Sequence, residues 1–155
     1  LLTQVAGRAG RAEIEGEVLI ETNSVNHPII QLAKNQNYEE FFNSEILYRK
    51  DAYFPPFCRL VRLVLRSKNE EKLQTFSVEF KKYLDKELDK YTFQKLVILG
   101  PTEAPFYKID SNFRIHLIIK TLELTQLREV IKELKKFKFH KSIYLEIDID
   151  PIDLV

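Results

Sequence analysis

The chain has 155 residues, 45% of them hydrophobic and 30% charged, with a formal net charge of +1. That balance fits one ordinary globular domain, or a small domain plus part of another, and excludes a disordered or membrane-spanning chain. Residues 1–56 carry 5 Lys/Arg against 8 Asp/Glu, net −3, and residues 57–155 carry 19 against 15, net +4; so mild an asymmetry does not single out nucleic acid as a partner.

The opening stretch is Gln4-Val5-Ala6-Gly7-Arg8-Ala9-Gly10-Arg11, of the form Q-x-x-G-R-x-G-R. If the apolar lead-in Leu1 to Ala6 is helical, the three-residue spacing predicts Arg8 and Arg11 on one face. Gly7 and Gly10 place no side chain in front of that face. Two converging guanidiniums can neutralise a phosphoryl group during transfer, as an arginine finger does. The alternative is a helix end with two solvated arginines. Asn26-His27-Pro28 predicts a helix start, since proline is tolerated in the first turn. Apolar positions from Ile29 to about Asp51 suit helix, broken in two by Lys34-Asn35-Gln36-Asn37. Pro55-Pro56 forbids further helix, and the domain boundary is expected there.

Beyond it the periods alternate. Val61, Leu63 and Leu65 point opposite to Arg62, Val64 and Arg66, a half-buried strand. Leu73, Phe76, Phe80, Tyr83, Leu84 and Leu88 recur at helical spacing, with Asn69 as N-cap. Leu96 to Leu99 reads as a short strand stopped by Gly100-Pro101, and Phe113 to Lys120 as another strand. Leu124, Leu127, Val130, Ile131, Leu134 and Phe137 predict an amphipathic helix, and Ile143 to Asp150 a closing strand. The order is β-α-β-β-α-β: an α+β, ferredoxin-like arrangement with one four-stranded antiparallel sheet and both helices on one face.

The open face of that sheet is expected to carry Arg62, Arg66, Arg114, His116 and Lys120, with Glu146, Asp148 and Asp150 beside them on the last strand. Cationic and aliphatic residues hold the central positions where modules of this topology stack bases, so cross-strand Arg–carboxylate pairing is the expectation. Pro101 to Asn112 reads as a twelve-residue loop bearing Phe106, Tyr107 and Lys108, an aromatic–basic cluster suited to DNA or partner contact. No metal site is expected: Asp148, Asp150 and Asp153 are explained by strand alternation and Pro151, and His27, His116 and His140 are scattered. Lys132 to Lys141 is a solvated helix face. A lone cysteine, Cys58, excludes an internal disulfide and reads as a small buried residue. There is no apolar run of membrane-spanning length and no signal peptide.

The opening motif resembles the last conserved motif of superfamily-two DNA helicases. With Tyr53-Phe54-Pro55-Pro56-Phe57, Leu99-Gly100-Pro101, Ala104-Pro105 and Asp148-Ile149-Asp150-Pro151 following in order, essentially the whole chain resembles the C-terminal part of the primosomal protein N′ (PriA) family of replication-restart helicases. The resemblance implies that residues 1–22 are the edge of a second RecA-like lobe with Gly16 to Thr22 as its final strand, 23–56 a helical linker, and 57–155 the C-terminal domain. The chain, which begins inside a motif at Leu1, is then expected to be a fragment. The resemblance further implies an intact ATP-dependent 3′-to-5′ DNA helicase, a cytoplasmic hydrolase that acts in replication restart and primosome assembly at stalled or branched forks. Its cofactors would be ATP and magnesium, with zinc in an upstream insertion and none bound by this fragment alone. Its partners would be single-stranded or forked DNA, single-stranded-DNA-binding protein and other primosome proteins. By position, Gln4, Gly7, Arg8 and Arg11 would sense nucleotide, with Arg8 and Arg11 catalytic, and Lys108 and Arg114 would touch DNA or a partner; Tyr107 in the loop cluster and Arg62 and Arg66 on the sheet face are weaker candidates for the same contact, from their placement alone. The competing expectation is a stand-alone ferredoxin-like binding module without ATPase coupling.

Overall fold

The computed structural model describes residues 2–6, 10–11, 14–15 and 17–154, with side chains for 2–5 and 17–154. The elements are α1 (Leu2–Ala6), β1 (Gly10–Arg11), β2 (Ile14–Glu15), α2 (Pro28–Lys34), α3 (Tyr38–Asp51), β3 (Arg59–Ser67), α4 (Glu70–Leu88), β4 (Leu96–Ile109), β5 (Asn112–Thr121), α5 (Leu124–Leu134) and β6 (Tyr144–Ile149). They form two compact units, Leu1–Asp51 and Ala52–Val155. Among the described residues no helix is long and apolar enough to cross a membrane.

In the first unit the lead-in is helical, but Arg11 lies on β1, which pairs antiparallel with β2. The shared face expected for Arg8 and Arg11 involves Gly7 and Arg8, which lie outside the described residues. The strand expected over Gly16 to Thr22 is corrected over the described residues 17–22. Residues 17–22 adopt no strand, and Leu19 is 93% exposed. An extended run needs a neighbouring ladder for its amides, and neither sheet among the described residues provides one. The helices follow the sequence closely. His27 caps α2, its Nδ1 accepting from the Ile29 amide at 3.3 Å, with Pro28 in the first turn. The expected break falls at Asn35–Asn37. There Asn37 Oδ1 accepts from the Glu40 amide at 3.1 Å while Glu40 Oε2 accepts from Asn37 Nδ2 at 2.7 Å, starting α3.

The second unit follows the β-α-β-β-α-β order and builds one four-stranded sheet, β4-β5-β3-β6, with every neighbouring pair antiparallel. Asn69 caps α4 through Oδ1, which accepts from the Lys72 amide at 2.8 Å. Val61, Leu63 and Leu65 of β3 and Ile115, Leu117 and Ile119 of β5 form one buried cluster with Leu73, Phe80 and Leu84 of α4 and Leu127, Val130 and Leu134 of α5. Both helices thus cover the same sheet face. Phe76, Phe137 and Phe139 close the end of that core around Phe80, with ring centroids 5.8–6.4 Å from it.

The expected loop from Pro101 to Asn112 is corrected to a hairpin. β4 continues to Ile109, and Asp110 and Ser111, at φ of 47° and 63°, make the two-residue turn into β5. Gly100-Pro101 does not stop the strand because β4 is an edge strand. Its register shifts between Leu99 and Thr102, and again between Glu103 and Lys108, and these irregularities take up Pro101 and Pro105. Gly100 has φ +92°, and a Cβ there would stand 2.5 Å from the His116 carbonyl oxygen. Gly100→Ala is therefore expected to destabilise the chain by about 2–3 kcal/mol, read as a lower urea midpoint at unchanged slope.

Candidate functional site

The sheet face turned away from the helices carries the charge. Cross-strand pairing sets Arg66 opposite Arg114 on β5 and Tyr144 on β6, Val64 opposite His116 and Glu146, and Arg62 opposite Ile118 and Asp148. Because paired residues share a face, Tyr144, Arg66 and Arg114 form one row across three adjacent strands. The expected Arg–carboxylate pairing is present: Arg66 Nε lies 2.5 Å from Glu146 Oε1. At the opposite end of β3, Arg59 Nε donates to Asp150 Oδ1 at 2.8 Å, and its second nitrogen pairs with Oδ2. That bond holds the Asp150 carboxyl below its ordinary pKa.

This face is not uniformly open, contrary to the sequence expectation. Arg62, His116 and Lys120 are only 5%, 7% and 5% exposed. Tyr53, Phe54 and Leu154 pack over Cys58, Leu60 and Ile118, so the stretch before β3 and the stretch after β6 fold onto one end of the face. Lys120 is held by that cover: its Nζ donates to the Ala52 carbonyl at 3.1 Å and sits 3.6 Å from the Phe54 ring centroid. Burial lowers the Lys120 pKa and raises that of Cys58. Lys95 lies 3.9 Å over the Tyr53 ring. Arg62 has burial and Arg114 lowering its pKa, and Asp148, Asp153 and Glu146 raising it. It is enclosed rather than displayed.

At the hairpin, Tyr107 is corrected from a displayed aromatic to a packed one. Its hydroxyl donates to Glu70 Oε1 at 2.8 Å, and its ring rests on Phe113, 5.4 Å between centroids, against the main core. Lys108 Nζ lies 4.5 Å over the same Phe113 ring, on its exposed side chain. Arg114 Nη1 donates to the Phe106 carbonyl at 3.5 Å. The geometry thus gathers Arg66 and Arg114 in one row and buries Arg62 four residues back along β3. The row also contains a residue that sequence reasoning did not single out, Tyr144. Its signal was its alternation with Leu145 beside the cationic strand.

Gln4, on α1, lines an apolar groove of about 560 Å³ in the first unit with Leu2, Ile29, Leu32, Tyr38 and Phe41. The Arg11 side chain, like Gly7 and Arg8, lies outside the described residues. Among the described residues no three His, Cys, Asp or Glu side chains are grouped to hold a metal ion.

A protein-family model described as "Primosomal protein N C-terminal domain" matches residues 50–152. Three relatives, each named replication restart protein PriA, align along nearly the whole chain. That of Borreliella burgdorferi is 33% identical over 99% of this chain and 23% of its own. Those of Synechocystis and Bacillus subtilis are each 32% identical, over 99% and 97% of this chain and 18% and 19% of theirs. The chain spans about a fifth of the length of these curated relatives. Among solved structures, the de novo designed protein Foldit4 aligns with 62% of this chain and 99% of its own at TM-score 0.45 and 13% identity, too distant to bear on function.

His116 supplies a pH test of the charged face. It stands between Val64 and Thr102, with Arg62, Arg66 and Arg114 at neighbouring positions and Glu146 one strand beyond Val64. Burial, then Arg62 and Arg114, push its pKa below the usual value. A base that resists protonation when folded binds fewer protons than in the unfolded chain. Its contribution to stability is therefore present above pH about 6.5 and is lost as the pH falls below it. His116→Gln should lose less stability than the parent chain between pH 7 and pH 5, as measured by urea unfolding at each pH.

Proposed function

Because the chain belongs to the primosomal protein N C-terminal domain family, we propose that it is the C-terminal part of an ATP-dependent 3′-to-5′ DNA helicase acting in replication restart. Residues 1–22 are the edge of the second motor lobe, 23–56 a helical linker, and 57–155 a ferredoxin-like C-terminal domain. The observation that carries this reading is alignment with restart proteins over 97–99% of this chain, which includes the Q-x-x-G-R-x-G-R stretch as well as the domain matched by the family.

In the longer protein Gln4 holds the hydrogen-bond network at the nucleotide, and Arg8 and Arg11 neutralise the transferring phosphate, with Gly7 allowing close approach. ATP and magnesium belong to the motor lobes, and zinc to an insertion upstream of this chain. The second unit contacts single-stranded or forked DNA, or a protein partner such as single-stranded-DNA-binding protein, through Arg66, Lys108 and Arg114 at its exposed rim. The protein works in the cytoplasm, at forks where the primosome assembles.

Purified as it stands, the chain should neither hold ATP tightly nor turn it over, because its four glycines (Gly7, Gly10, Gly16 and Gly100) include no phosphate loop of the form G-x-x-x-x-G-K-[S/T]. In the full-length protein, Arg8→Ala or Arg11→Ala should cut DNA-stimulated ATP turnover about a thousandfold while DNA binding stays near normal. Turnover close to the parent rate in both variants would return the motif to a pair of surface arginines.

A further inference from the structure

With Tyr107 bonded to Glu70 and packed on Phe113, the aromatic ring displayed beside the arginines is another one. Tyr144 is 53% exposed, and the Arg66 guanidinium carbon lies 4.9 Å from its ring centroid. Register places Tyr144, Arg66 and Arg114 side by side on β6, β3 and β5. At the usual strand separation, such a row spans about 10 Å. Its far end meets Phe106, 57% exposed, whose carbonyl Arg114 holds. Glu146 Oε1 lies beside the Nε of Arg66, and the guanidinium carries further donors.

We infer that this row is a stacking platform for single-stranded DNA, on which Tyr144 takes an unpaired base while Arg66 and Arg114 take the flanking phosphates. The inference rests on the DNA-binding reading above and assigns its base contact to a residue outside the motifs that carry the family resemblance. Three features select a single strand. A duplex hides its base faces inside the stack, so an exposed ring on a sheet rim can stack only on an unpaired base. An acidic peptide would use the guanidiniums but give the ring no role. The cations and the ring also lie in one line, as a backbone with splayed bases requires.

The test is fluorescence anisotropy of the 155-residue chain with a short oligothymidylate and with an abasic strand of equal length. Tyr144→Ala should weaken oligothymidylate binding about tenfold, leave abasic binding unchanged, and be rescued by Tyr144→Phe. Arg114→Ala should weaken both strands alike and lower the salt slope by about one. Thermal unfolding of each variant checks that the sheet is intact. If Tyr144→Ala binds oligothymidylate like the parent chain, or loses equally on the abasic strand, the platform is overturned and the DNA reading stands. If the parent chain binds neither strand, the DNA reading falls with it. Preference for an acidic peptide over both strands, abolished by Arg66→Ala, would assign the row to a protein partner and overturn the platform.

Discussion

The second unit depends on the antiparallel pairing of β3 with β5, which runs unbroken from Arg59 opposite Thr121 to Ser67 opposite Phe113. Strand alternation makes each pair serve one face only, so this ladder fixes two surfaces at once. Val61, Leu63 and Leu65 with Ile115, Leu117 and Ile119 go to the helices. Arg62, Val64 and Arg66 with Arg114, His116 and Ile118 go to the other side. A one-residue slip of β3 would turn Arg62 and Arg66 under α4 and α5, at a cost no packing gain could offset. The register of the core therefore positions the candidate site.

That constraint explains how buried cations are tolerated. Lys120 cannot leave its face without breaking the ladder, so the chain brings partners to it: the Ala52 carbonyl and the Phe54 ring. These belong to the proline-containing stretch that leads into β3, and its aromatics also shield Cys58 and Leu60. His116 has a different solution. Placed among arginines and away from water, it stays neutral, which avoids adding like charge to a crowded face.

Much of this was legible in the sequence, because period-two and period-3.6 patterns are local. The Asn69 cap, the break before Tyr38, the two amphipathic helices and the alternation of β3, β5 and β6 all follow from residues within a few positions of one another. The failures were non-local. Glu17 to Thr22 has the composition of a strand, but composition supplies no neighbouring ladder. In β4, Gly100-Pro101 read as a stop, yet an edge strand can place both Pro101 and Pro105 in register irregularities. Those shifts also spoil parity counting, so the facing of Tyr107 could not be counted out from Leu96. The cover over Lys120 comes from Ala52 and Phe54, and Leu154, nearly ninety residues from β3, packs on the same end of the face. For the opening motif, the sequence remains the fuller source, since Gly7 and Arg8 lie outside the described residues.

A gradient of burial along this face decides where a ligand can meet it. Among its cations, Lys120 is enclosed at one end and Arg62 in the middle beside the enclosed His116, while Arg66 and Arg114 at the rim, with Tyr144, reach solvent. Charge in the enclosed part is poorly screened, so the field at the rim combines Arg62 with the carboxylates of Asp148, Asp153 and Glu146 that act on it. At the rim itself the carboxylate that meets a cation is Glu146. Arg66 and Glu146 are both partly exposed, and a pair of that kind contributes at most about 1 kcal/mol, so an incoming phosphate displaces little when it competes for the guanidinium. A strongly held, buried pair at the same position would have closed the rim. The weakness of the Arg66–Glu146 contact is what leaves Arg66 oriented and still available.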